Sequence, residues 1–261
     1  MELRERILRE AAFHDAGYGY DVFGLHPPVL ASAVAAARPI YDRYFRVRSS
    51  GVFRIPDGPV ILVGNHAGVL PVDAAVLCLD VLINSKPTRI PRPIADLFVP
   101  RFPLVSTLFA RMGVVSGTRP NVRRLLERGE LLVIFPEGVS GPAKRFRDRY
   151  ILQNWSVGFA ELAIRYRATI IPVAILGAEE SWPVVTKLGI KVFGAPYLPI
   201  PLSPVPLPVH YEIQYGSPLR FDLSPRDADD PIAVAAVAAE TCSALEQQIA
   251  DARMVRRGLF R

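Results

Sequence analysis

Residues 61–73 read I-L-V-G-N-H-A-G-V-L-P-V-D. Residues 59–63 are apolar and rich in β-branched side chains, the pattern of a short buried strand. Gly64 and Asn65 end it, so His66 falls just past a strand end, where side chains of α/β proteins project toward ligands. Pro71 suits the first position of a helix, because its missing N–H would be unpaired there anyway. Asp73 then falls in the first turn, and residues 74–83 continue the helix. A histidine at a strand end and an aspartate at a helix start, joined by a short loop, are close enough to hydrogen-bond. A general base held in one tautomer by a carboxylate requires that pair. A structural histidine beside a helix-start carboxylate has the same local pattern, so the rest of the chain has to decide.

Working outward, residues 3–13 have apolar positions at helical spacing. Residues 29–45 are expected to be helical, with Tyr41, Tyr44 and Phe45 beside Arg38, Arg43, Arg46 and Arg48. Aromatics next to arginines suit a lipid headgroup boundary, and equally a surface helix packed on the domain. Residues 52–57 read as a short strand or turn, and 86–93 as a basic, proline-broken loop. Residues 95–112 look helical, interrupted at Pro100 and Pro103. Residues 113–115 suit a short strand and 122–128 a helix capped by Gly129. A strand over 130–135 leads into P-E-G-V-S-G-P. A helix over 157–166, strands over 169–176 and 210–215, and a long alanine-rich helix over 231–253 complete the pattern. Strands alternating with helices predict an α/β fold: a single domain with a central mixed sheet flanked by helices.

The chain has 261 residues, half of them hydrophobic, enough for one α/β domain with a sizeable core. Its formal net charge is +6 and its pI about 9.5, which favours anionic partners. The two cysteines, Cys78 and Cys242, sit in apolar helical contexts and suggest buried thiols in a reducing compartment. No cysteine–histidine cluster has zinc spacing. The N-terminus, M-E-L-R-E-R-I-L-R-E, is charged and does not read as a secretory signal. The longest uncharged run, 192–211, holds six prolines and is not a membrane-spanning helix. Any membrane contact is therefore expected to be interfacial. Basic residues are spread over several segments without a reading motif, which argues against nucleic acid.

Three stretches line up at strand ends: Asn65-His66 with Asp73, then G-V-V-S-G-T-R over 113–119, then F-P-E-G over 135–138. In order and spacing this set resembles the glycerolipid acyltransferase family, which moves a fatty acyl group from a thioester to a hydroxyl on a glycerol backbone. The resemblance covers residues 47–177. The commonest family motif separates His and Asp by four residues. Here six intervene, and N-H-x-G-x-x-P-x-D is similar to the branch of monoacylglycerol and diacylglycerol acyltransferase-like members. Asp80 lies two turns deeper in the helix and is poorly placed to reach His66.

The resemblance implies that His66 is the general base and Asp73 its orienting carboxylate, with no acyl-enzyme and no cofactor. It implies a substrate-binding set of Asn65, Gly68, Arg119, Glu137, Gly138, Lys144 and Arg145. Arg119 would suit an acceptor phosphate such as that of lysophosphatidate. Glu137 would help bind glycerol hydroxyls, and Gly138 would let backbone approach a ligand. Lys144, Arg145, Arg147 and Arg149 would meet carrier phosphates or anionic headgroups, or form a solvated face. Pro172 resembles a further family block, and G-A-E-E over 177–180 is typical of the branch with no chemistry assigned. Cys78, His14, His26 and His210 are read as structural.

The expected donor is acyl-CoA or acyl-carrier protein. The expected acceptor is a lysophospholipid or an acylglycerol, met at the cytoplasmic face of a membrane surface by a peripheral enzyme. Residues 1–46 form an N-terminal helical region that contacts membrane or caps the domain, and 47–261 the acyltransferase domain. A non-catalytic module that binds anionic lipid is the reading from another class, and thioester hydrolysis is a rival within enzymes.

Overall fold

The computed structural model describes residues 3–67, 71–96, 104–141, 144–190, 198–256 and 258. In chain order the helices are α1 (Leu3–Glu10), α2 (Pro27–Pro39), α3 (Val72–Asn84), α4 (Val105–Arg111), α5 (Arg119–Glu127), α6 (Gly158–Tyr166), α7 (Ala178–Ser181) and α8 (Pro231–Val255). The strands are β1 (Arg48–Ser50), β2 (Val60–Gly64), β3 (Pro91–Ala95), β4 (Val115–Ser116), β5 (Leu131–Ile134), β6 (Thr169–Leu176), β7 (Val184–Leu188), β8 (Leu198–Pro201) and β9 (Glu212–Tyr215).

Seven strands form one sheet in the order β1-β9-β6-β2-β5-β3-β4. From β6 to β4 all neighbours are parallel. β9 runs antiparallel to β6, and β1 parallel to β9, so the sheet is mixed. β2 and β6 are buried along their whole length, as strands covered by helices on both faces must be. The pleat divides β2: Val60 and Leu62 pack with α1, α2 and α3, while Ile61 and Val63 pack with α5, α6 and α8.

Two sequence expectations are corrected here, the extent of one helix and the nature of one loop. The helix over 29–45 ends as an α-helix at Pro39 and widens into a π turn, Ile40–Tyr44, closed by Phe45 N–H to the Ile40 carbonyl at 2.9 Å. Proline cannot donate to the α-helical ladder, so the turn expands around it. Two of the three aromatics face inward: Tyr41 and Phe45 are buried, Phe45 packs on Tyr211, and Tyr44 stays exposed. Residues of the first 46 thus share one core with β2 and α3.

The basic loop over 86–93 contains a strand, β3. Its prolines, 91 and 93, are two residues apart, so both missing donors face one side. On that side β4 pairs only from Ile94. The proline tract, read from sequence only as unable to form a membrane-spanning helix, supplies β8, which pairs with β7 in a separate two-stranded sheet. Residues 97–103 of the expected 95–112 helix lie outside the described residues. Residues 52–57 hold a 3-10 turn rather than a strand.

Pro172 sits mid-strand in β6. Its carbonyl accepts from Gly216 N–H at 2.8 Å, just where β9 stops, so its missing donor falls in the gap before the Ile170–Leu219 bridge. No helix among the described residues is long and apolar enough to cross a membrane.

Candidate active site

His66 follows β2 at the C-terminal edge of the parallel strands, and three segments fix it. Asn65, fully buried, gives its side-chain amide to the Ile175 carbonyl at 2.9 Å and accepts the Ile175 N–H at 2.8 Å. It extends the β2–β6 ladder by one rung, with its amide committed to backbone rather than to a ligand. The His66 N–H donates to Glu137 Oε1 at 2.9 Å. The imidazole stacks on Phe135, with ring centroids 4.6 Å apart.

Asp73, at the start of α3, supplies the third hold. Its Oδ2 lies 2.7 Å from His66 Nδ1 and also accepts the Ala67 N–H at 2.7 Å, while Oδ1 accepts from Ala74 N–H. An ionised carboxylate only accepts, so Nδ1 carries the proton and Nε2 is left as the base. The Asp73 side chain is fully buried, and that of His66 is 16% exposed. Burial favours the neutral ring, but the charge and hydrogen bond of Asp73, helped by Glu137, outweigh it. The His66 pKa is raised above its ordinary value of 6.5.

Gly141 backs the histidine. A Cβ there would stand 2.8 Å from both the His66 Cβ and its carbonyl oxygen. The backbone at Gly141 is ordinary right-handed helix (φ −58), so the constraint is steric. Gly141→Ala is expected to displace His66 and cut turnover at least tenfold while shifting the thermal midpoint by only a few degrees. Equal loss of fold and activity would refute that placement.

Glu137 is spent inside the protein. Oε1 takes the His66 N–H, Oε2 takes the Gln153 N–H at 2.9 Å, and Lys144 Nζ lies 3.1 Å from Oε2. Lys144 also pairs with Glu179 Oε1 at 2.7 Å. Glu179 in turn accepts the Tyr150 N–H. Burial opposes the Lys144 charge, yet Glu179 and Glu137 raise its pKa. Burial also raises that of Glu179, against the pull of Lys144.

The basic run 144–149 therefore splits. Lys144 is an internal counter-ion with a 3% exposed side chain, whereas Arg145 is exposed. Gly138 has φ +50 and open space where a Cβ would be. Gly68 lies outside the described residues.

Arg119 is not brought to the histidine. It starts α5 after β4, three strands from β2 on the same sheet edge, roughly 14 Å along the sheet. Its side chain is 86% exposed and pairs with Glu161 at 3.0 Å. Asp80 is held away from His66 by the Tyr41 and Tyr215 hydroxyls and by Asn84 at 2.8 Å. Burial and Asp73 push the Cys78 thiol up to about 12, so it is an inert thiol at neutral pH.

Sequence reading missed Glu179 and Gln153. The signal for Glu179 was present: two adjacent carboxylates after an apolar strand, in A-I-L-G-A-E-E, with no cation nearby in sequence.

Residues 46–176 match the model of the Acyltransferase family. An uncharacterized protein of Mycobacterium tuberculosis is 37% identical over 257 residues, 93% of this chain and 72% of its own. A Gallus gallus protein described as a DGAT1/2-independent enzyme synthesizing storage lipids is 33% identical over 174 residues. That match spans 64% of this chain and half of the relative. Among solved structures, the 1-acyl-sn-glycerophosphate acyltransferase PlsC of Thermotoga maritima shares the fold, with TM-score 0.57 over 86% of this chain and 81% of its own, at 15% identity. With its histidine, carboxylate and F-P-E-G turn gathered at one sheet edge, the chain belongs to the glycerolipid acyltransferase family.

Proposed function

We propose that the protein transfers a fatty acyl group from a thioester donor to a hydroxyl of a neutral acylglycerol. His66 Nε2 removes the hydroxyl proton as the oxygen attacks the thioester carbonyl. Asp73 stabilises the imidazolium that results. The tetrahedral adduct collapses, the C–S bond breaks, and the proton passes from His66 to the departing thiolate. Neither cysteine is needed, and burial raises both thiols.

The buried charge beside His66 carries the choice of a neutral acceptor. Among the described residues, Asp73, Glu137 and Glu179 are linked to one cation, Lys144, an excess of two negative charges, or one if Glu179 is protonated. A phosphate brought to about 6 Å of that excess would meet roughly 3 kcal/mol of repulsion per pair of unit charges at an effective dielectric of 20. The storage-lipid relative supports the same reading. Lysophosphatidate, the acceptor suggested by Arg119, is the alternative.

The test is release of free thiol from palmitoyl-CoA without acceptor, with monoacylglycerol, and with lysophosphatidate. Release that depends on monoacylglycerol is expected. Faster release with lysophosphatidate would overturn the choice of acceptor, and release without either would indicate a hydrolase.

The raised His66 pKa sets a pH dependence. The base works only when neutral, so kcat/KM should rise with pH to a midpoint above 6.5 and then level off. Asp73→Asn should move the midpoint down. Stability runs the other way: the imidazolium–Asp73 pair contributes fully below 6.5 and is lost as pH rises through the folded-state pKa. A wild-type midpoint at or below 6.5 would contradict this.

We also infer peripheral contact with the cytoplasmic face of a membrane through the β7–β8 hairpin. Val185, Leu188, Leu198 and Leu202 are exposed on or beside it. Such a hairpin suits interfacial insertion. Replacing Leu198, Ile200 and Leu202 with serine should abolish co-sedimentation with liposomes. Undiminished binding would end this reading.

A further inference from the structure

The C-terminal end of α8 packs over the end of β6, where Leu245, Ile249 and Ala252 meet Tyr150, Ala174 and Leu176. Arg149, Arg253 and Arg256 converge there with Tyr150, Glu180 and Gly258 around a surface cavity of about 140 Å³. Arg256 is fixed in place. It bonds Glu180, donates to the Tyr150 hydroxyl at 3.0 Å and to the His210 carbonyl at 2.7 Å, and its side chain is only 6% exposed. Its Nε is buried without a partner among the described residues. The Arg149 and Arg253 guanidinium groups lie against the Phe146 and Tyr150 rings, and neither pairs with a carboxylate among the described residues.

A helix end with arginines can simply balance its own carbonyls. The arithmetic exceeds that need here. Three guanidinium charges face one carboxylate and about half a negative charge from the helix end, which leaves an excess of roughly one and a half. Arg149, moreover, comes from a different segment. The cavity is thus built for an anion with several acceptor oxygens, and phosphate fits guanidinium geometry best.

Its position says which phosphate. β6 neighbours β2, and Tyr150 joins His66 through Glu179, Lys144 and Glu137. The cavity therefore lies on the catalytic edge of the sheet, roughly 10–15 Å from the base, one strand spacing along and one packing layer out. The reacting carbonyl must sit at His66, so a phosphate at that distance belongs to the far end of the donor.

We propose that Arg149, Arg253 and Arg256 bind a phosphate of the thioester donor's carrier, either the CoA nucleotide or the phosphopantetheine of a carrier protein. This rests on the thioester-donor reading above, but its test does not require turnover. The probes are CoA, pantetheine, holo-acyl-carrier protein and phosphatidylserine vesicles, titrated calorimetrically onto the wild type, His66→Ala and the double variant R149Q/R253Q, which leaves the structural Arg256 intact.

Wild type and His66→Ala should bind CoA or the carrier protein at least tenfold more tightly than pantetheine. The double variant should lose that preference, and its KM for palmitoyl-CoA should rise about tenfold. Equal binding of the phosphate-bearing probes by the wild type and the double variant would overturn the proposal. So would failure of both probes to bind, or loss only of binding to phosphatidylserine vesicles, which would reassign the cavity to a lipid headgroup. If CoA binding is lost in the double variant while His66→Ala still transfers acyl groups, the catalytic reading fails and the donor site stands.

Discussion

His66→Ala is expected to lower acyl transfer by about a thousandfold, and Asp73→Asn by about a hundredfold or more. A positioned general base contributes roughly 10²–10⁴ in rate, and no other imidazole is placed to replace this one. His14 is exposed, His26 stacks on Tyr20, and His210 is buried against the Tyr211 carbonyl. An amide at position 73 can still accept one of the Ala67 and Ala74 N–H groups, yet it can offer an N–H toward Nδ1 and so stabilise the wrong tautomer. Both variants should fold, since the backbone N–H of position 66 keeps its bond to Glu137 whichever side chain it carries. Thiol release by each variant, beside its thermal unfolding curve, checks this. A His66→Ala protein within twofold of wild-type rate would refute the base assignment outright.

Lys144→Met is expected to destabilise the fold by about 3–5 kcal/mol, the usual loss when one partner of a buried ion pair is removed. The thermal midpoint should fall by on the order of 10 °C. Glu137 and Glu179 would be left in the interior without their shared cation, and one of them would have to take up a proton. Because Glu137 also holds the His66 N–H, activity should fall with stability. Adding Glu179→Gln to Lys144→Met should restore part of the loss, since the two substitutions act on one pair. Arg145→Gln, one residue away and exposed, should change stability by less than about 0.5 kcal/mol. Similar effects at 144 and 145 would show that the run is a uniform solvated face after all.

Much of the architecture was legible in the residues. β2, β6 and α8 announced themselves because a fully buried strand is a continuous apolar run and a long alanine-rich segment has no strand alternative. β3 and β8 did not, because their prolines read locally as breakers. Only knowledge of which flank of each strand goes unpaired makes those prolines harmless. The inward turn of Tyr41 was equally hidden. The same aromatic–arginine spacing serves a lipid boundary, and it is buried Asp80, 39 residues on, that draws the hydroxyl inward.

The site divides along the same line. The order of elements, the strand-end histidine, the helix-start carboxylate and the F-P-E-G turn are local patterns, and local patterns carry chemical type and spacing. Sequence alone therefore determined the family and the pair at 66 and 73. Which charges neutralise which is a long-range matter. Lys144 and Glu179 lie in separate segments 35 residues apart in sequence, and Arg149 meets Arg256 from more than a hundred residues away. Only the packing of α7 and α8 against β6 turned one basic run into a buried counter-ion, an exposed arginine and one wall of an anion cavity. The physical reason is burial: a cation in solvent is free to meet any partner, and one enclosed by the fold must keep the partner the fold provides.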